Sequence, residues 1–141
     1  MRALGVPISL LLISLLQCDS NYRKVTCKPI DHATRVIVSG LEPAYSDYSI
    51  TDPDRIRKIL AFTNARPEGS NARYATPVQA PISAAIYDGS NFVGAFGVGS
   101  NFFTLICKEG KGARDATQAE VEEFKRLIAP DAPAQTNKDS R

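Results

Sequence analysis

Three cysteines, Cys18, Cys27 and Cys107, and a single histidine, His32, are the residues whose chemistry could define this chain. A thiol beside an imidazole becomes a nucleophile when the ring takes its proton and a nearby acid orients the ring. Cys27 or Cys107 with His32 and Asp31 would supply the parts, but nothing in their spacing selects that arrangement. Pairing as a disulfide would remove the thiolate that such chemistry needs. With one histidine, no tryptophan and scattered carboxylates, neither a metal nor a cofactor is expected. Asp52 and Asp54, the best acidic pair for calcium, are accounted for by the start of a helix.

Other function classes fall on composition. The chain has 141 residues, 43% hydrophobic and 23% charged, which fits one ordinary domain with one core. A formal charge of +2 offers no basic surface for nucleic acid. Phe92, Phe96, Phe102 and Phe103 could stack bases on a sheet, but without basic surroundings they read better as core. The run Gly97-Val98-Gly99-Ser100-Asn101-Phe102 lacks the third glycine and the following helix of a dinucleotide fingerprint. The balance leans toward a binding role.

The N-terminus says where the chain goes. Arg2 precedes an apolar run over residues 4–16, interrupted by Ser9 and Ser14. That run is shorter than the roughly 20 residues a membrane-spanning helix needs, and it fits the apolar region of a signal peptide over residues 1–17. Its end, Leu15-Leu16-Gln17-Cys18, resembles the lipobox of bacterial lipoprotein precursors. Leu15 and Leu16 match the pattern, whereas Gln17 stands where the family carries Gly, Ala or Ser. The resemblance implies that Cys18 becomes the first mature residue and carries a diacylglyceryl thioether, often with an acylated amino group. Two or three acyl chains would anchor the protein stably, where a single chain gives marginal binding. It also implies a place in the cell envelope, facing the periplasm or the exterior, and Asp19 resembles an inner-membrane retention signal. Secretion as a soluble protein, with cleavage near Ser20, is the alternative.

With Cys18 given to lipid, Cys27 and Cys107 remain, in a compartment outside the reducing cytosol, and a disulfide between them is expected; a Cys18–Cys27 pairing without lipidation, or two free buried thiols, are the alternatives. The Cys27–Cys107 bond would close a loop of about eighty residues, worth roughly 4 kcal/mol at most.

The elements that must hold these residues are legible in part. Residues 82–87, 92–98 and 102–107 are short apolar runs separated by Gly-Ser-Asn turns, with Asp88-Gly89 the best turn signal. They predict a three-stranded antiparallel meander. Alternation groups Phe92, Gly94, Phe96 and Val98 on one face of its middle strand, where Gly94 and Gly97 suggest a bulge or a close helix. Residues 34–39 predict a fourth, N-terminal strand, whereas 41–50 could be an edge strand or a packed loop. Asp52-Pro53-Asp54 starts a helix ending near residue 64 or 65, burying Ile56, Ile59, Leu60 and Thr63 and leaving Arg55, Arg57 and Lys58 toward solvent. Thr117 and Glu120 spell a capping box for a second helix with Val121, Phe124, Leu127 and Ile128 inward, stopped by Pro130.

The expected architecture is α+β, a small antiparallel sheet packed by two amphipathic helices. Residues 18–28 form a tether, 29–129 the domain and 130–141 a disordered tail. Residues 109–116 read as a turn and 66–80 as a long connector, whose Arg66, Arg73 and Tyr74 are the candidate contact surface. The expected function is a non-enzymatic envelope lipoprotein that binds a protein or ligand, as an inhibitor or immunity-type partner does. A small envelope hydrolase is the competing reading; a concave pocket with converging polar groups would distinguish it.

Overall fold

Residues 23–71 and 79–131 are described by a computed structural model. Their elements in chain order are β1 (Arg23–Thr26), β2 (Arg35–Gly40), a 3-10 turn (Pro43–Tyr45), β3 (Tyr48–Ile50), α1 (Pro53–Asn64), β4 (Glu68–Asn71), β5 (Ile82–Asp88), β6 (Asn91–Val98), β7 (Phe102–Cys107), β8 (Gly110–Asp115) and α2 (Gln118–Ile128). The expected meander is β5–β6–β7, and it forms the middle of one eight-stranded antiparallel sheet in the order β1-β4-β8-β7-β6-β5-β2-β3. The α+β class holds, but the sheet has twice the four strands expected.

The four additional strands carry little apolar sequence and owe their state to their neighbours. β8 reads Gly-Lys-Gly-Ala-Arg-Asp, yet it pairs along the whole of β7, from Phe102 opposite Asp115 to Cys107 opposite Gly110. Residues 109–116 are therefore mostly strand rather than turn. Gly110, at φ +144°, lets the chain reverse after Lys108 and Glu109. β4 converts the start of the expected connector into strand, and β1 takes residues 23–26 out of the expected tether by pairing with β4. β3 settles residues 48–50 as an edge strand on β2.

The β1–β4 ribbon meets the β7–β8 corner closely. A methyl group at Gly69 would lie 3.1 Å from Leu105 and 3.2 Å from the backbone of Gly112 and Ala113, so only small residues allow the crossing. The Cys27–Cys107 disulfide, with Cα atoms 5.8 Å apart, closes this corner covalently.

Both helices pack on one face of the sheet. Their caps are those written in the sequence: Asp52 accepts from Asp54 N at the start of α1, and Thr117 and Glu120 form the reciprocal capping box of α2. α1 buries Ile56, Ile59, Leu60, Phe62 and Thr63, and α2 buries Val121, Phe124 and Ile128. They cover Val36 and Val38 of β2, Ile82, Ala84 and Ile86 of β5, Phe96 and Val98 of β6, and Phe103 and Leu105 of β7. At the centre, Phe62, Phe96, Phe103 and Phe124 pack with ring centroids 4.8 to 6.0 Å apart, uniting both helices with two strands.

The outward faces of the helices are not all solvated. Arg55, expected in solvent, is only 18% exposed. Its Nε donates to Leu127 O at 2.7 Å, Nη2 donates to Ala129 O, and Nη1 pairs with Asp131 at 3.0 Å. A cation from α1 thus caps the carbonyl end of α2, where the helix dipole is negative. Tyr48 O–H donates to Ile128 O at the same end, and burial pushes its pKa above the usual tyrosine value.

Candidate binding site

The reactive residues of the sequence are placed as follows. Cys18 lies outside the described residues. Cys27 and Cys107 are joined, so neither is a nucleophile, and Glu109, whose carboxylate approaches their sulfurs, has no free thiolate with which to hold a metal. Arg66 turns inward rather than forming a contact surface. At 17% exposure its Nε donates to Glu120 at 3.0 Å, its Nη1 to Phe62 O at 3.0 Å, and its guanidinium lies 3.6 Å from the Phe62 ring centroid. Arg73 and Tyr74 lie outside the described residues.

The features left to contact another molecule gather at the β5–β6 hairpin. Asp88 pairs with Asn91 across a two-residue turn, Gly89-Ser90, in which Gly89 takes φ +60°. Residues 28–34, between the disulfide and β2, are bound to this hairpin and to α1. Thr34 N donates to Tyr87 O at 2.9 Å, and Gly89 N donates to Thr34 Oγ1 at 2.8 Å. Asn64 of α1 treats Ile30 as a strand partner would: its Oδ1 accepts from Ile30 N and its Nδ2 donates to Ile30 O, both at 2.9 Å.

Between this segment and α1 runs an open groove of about 490 Å³, floored by Ile56 and Leu60 and rimmed by Asp31, His32 and Arg57. His32 Nδ1 lies 2.9 Å from Asp88 Oδ1, both exposed. The pair could orient an imidazole base, but among the described residues no hydroxyl or thiol is hydrogen-bonded to His32. Among the described residues, the groove lining holds carboxylate, imidazole and guanidinium groups over an apolar floor and no hydroxyl or thiol. A second cavity, of about 30 Å³ beneath the disulfide and lined by Ile30, Phe96 and Leu105, has room for a water or two and no ligand.

On the other side of the hairpin lies an aromatic and cationic cluster that alternation did not anticipate. Phe92, expected inside with Phe96, is 51% exposed. The register explains it: Ile86 pairs with Gly94 but Tyr87 pairs with Phe92, so Val93 is an extra residue and the strand bulges there. Val93 instead packs against the core edge. Phe92 is thereby turned to the sheet's outer face, its ring centroid 5.7 Å from that of Tyr87. Arg35, directly across β2 from Tyr87, places its guanidinium 5.1 Å from the Tyr87 ring. Arg35 Nε is buried without a hydrogen-bond partner, and the side chain has no ion pair among the described residues. The expected bulge is thus present, but beside Gly94 rather than at Gly97, where Ala80 and Thr104 approach the backbone instead of a helix.

Comparison with family models, with curated proteins and with solved structures finds no match to this chain.

Proposed function

We propose that this protein is a small lipoprotein of the bacterial cell envelope, anchored through Cys18, whose non-enzymatic domain binds a protein partner at the β5–β6 hairpin end. The observation that carries the location is the Cys27–Cys107 disulfide. It uses the two cysteines that lipid attachment leaves over, and such bonds persist outside the reducing cytosol. The binding role rests on the exposed Phe92, the stacked Tyr87 and Arg35, and the adjoining groove. Aromatic and arginine side chains grouped in this way dominate the energetics of protein interfaces. The partly exposed Arg35 guanidinium, without an ion pair among the described residues, favours a partner segment that sets a carboxylate beside an apolar side chain.

Two measurements on one strain test this. The wild-type chain is expected in the membrane fraction and the Cys18→Ala variant outside it; equal distribution of the two overturns the anchor. A photo-crosslinking amino acid at position 92 is expected to give a discrete adduct in the envelope that disappears with Arg35→Glu, while the same group at Leu41, exposed elsewhere, gives none. No adduct, or the same adduct from both positions, overturns the binding surface.

A further inference from the structure

We infer that the corner made by β1 and the β7–β8 hairpin lies against anionic lipid headgroups; this rests on the lipoprotein reading and adds an orientation to it. The first observation is length. β1 begins at Arg23, so only residues 19–22 separate the lipidated cysteine from the folded domain. Five Cα steps reach at most about 18 Å when fully extended. A domain of about a hundred residues has a radius of gyration near 13 Å, so the start of β1 stays within about one and a half such radii of the headgroups.

The second observation is charge. Lys28 and Lys108 directly follow the two disulfide-bonded cysteines, whose Cα atoms are 5.8 Å apart, and Lys111 follows Gly110, which pairs with Cys107. All three are exposed, as are Arg23 and Lys24 on β1. Lys24 is offset by Glu68 at 3.1 Å, whereas Arg23, Lys28, Lys108 and Lys111 form no ion pair among the described residues. Glu109 in the same turn offsets one more, leaving a surplus of three positive charges on this corner, or two with Asp19 of the tether counted. The disulfide fixes the hairpin to the far end of the four-residue strand that carries the tether, so these cations stay within a short reach of the anchor. Clustered cations next to an anchor attract acidic lipids and are screened by salt.

The test uses the acylated protein from its membrane, reconstituted in vesicles of phosphatidylcholine alone or of equal parts phosphatidylcholine and phosphatidylglycerol. Lysines are acetylated by a water-soluble reagent and quantified site by site. On the acidic vesicles Lys28, Lys108 and Lys111 are expected to react about fivefold more slowly than on neutral ones. Lys58, exposed on α1, is expected to react equally on both. The difference should vanish near 1 M salt, where the screening length falls to about 3 Å. An acylated protein whose lysines respond uniformly, or not at all, to lipid charge overturns the orientation alone. A purified protein whose intact mass shows no acyl chain overturns the anchor and the orientation together.

Discussion

Glu120 does two things at once. Its carboxylate accepts from Thr117 N at 2.9 Å, closing the capping box of α2, and pairs with Arg66 at 3.0 Å, tying α2 to the end of α1. The Thr117 backbone N–H first, and then Arg66, hold its pKa below the ordinary value of 4.5. The unfolded chain therefore takes up this proton more readily than the folded one. The stability that Glu120 supplies is complete above about pH 4.5 and is lost as pH falls through the lower folded value. Glu120→Ala, losing cap and ion pair, is expected to destabilise by about 1–2 kcal/mol at neutral pH, and Glu120→Gln, which can still cap, by less. Urea titrations of both variants from pH 7 to pH 3 check this, with the difference from wild type shrinking at acid pH. Equal costs for the two variants would mean that the charge contributes nothing. The capping half of this was legible, since Thr117 and Glu120 stand three apart before an apolar stripe. The Arg66 half was not, nor was the Arg55 cap on α2. A helical period says which face a cation occupies on its own helix, and not that another helix ends beside it.

At the scale of elements, the legible ones carried their own signals. The helices have caps written in side chains, and the meander has three apolar runs punctuated by turn residues. β1, β4 and β8 have none, because short strands with Gly, Lys and Ser in them are strands by virtue of the edges they complete, and β3 had only the alternation of Tyr48 and Ile50, which left strand and loop both open. The aromatic and cationic cluster at the hairpin was missed although its signal was present. Counting alternation back from Phe96 puts Phe92 inside, while counting across the two-residue Gly89-Ser90 turn puts it opposite Tyr87 and outside. That contradiction is itself the mark of a bulge between them. Gly97 tests the packing of the same strand. A Cβ there would run into Thr104 Oγ1 and meet Ala80 Cβ at 2.6 Å, and although the threonine can rotate, the alanine methyl cannot. Gly97→Ala is therefore expected to cost about 1–3 kcal/mol, read as a lowered urea midpoint with an unchanged slope. A variant as stable as wild type would show that residues 79–80 do not lie against the sheet there.

For the whole molecule, the disulfide ties the fold to the proposed location. It spans 80 residues of sequence, ties the end of β1 to the β7–β8 hairpin, and leaves no thiol for catalysis among the described residues. Chain-entropy arguments give such a loop roughly 4 kcal/mol at most, a large fraction of a small domain's stability. With the proposed lipid anchor, the covalently closed corner and the exposed hairpin end would make a domain held at a membrane with one end presented outward. The most direct test is the intact mass of the mature protein from the membranes of its native host, alkylated at free thiols with and without prior reduction. An anchored, oxidised domain gives a chain beginning at Cys18 plus two or three acyl groups, with two alkylated thiols appearing only after reduction. A chain retaining Met1, or lacking acyl groups, with thiols that alkylate without reduction, would contradict both the anchor and the disulfide and return Cys27, Cys107 and His32 to consideration as chemistry.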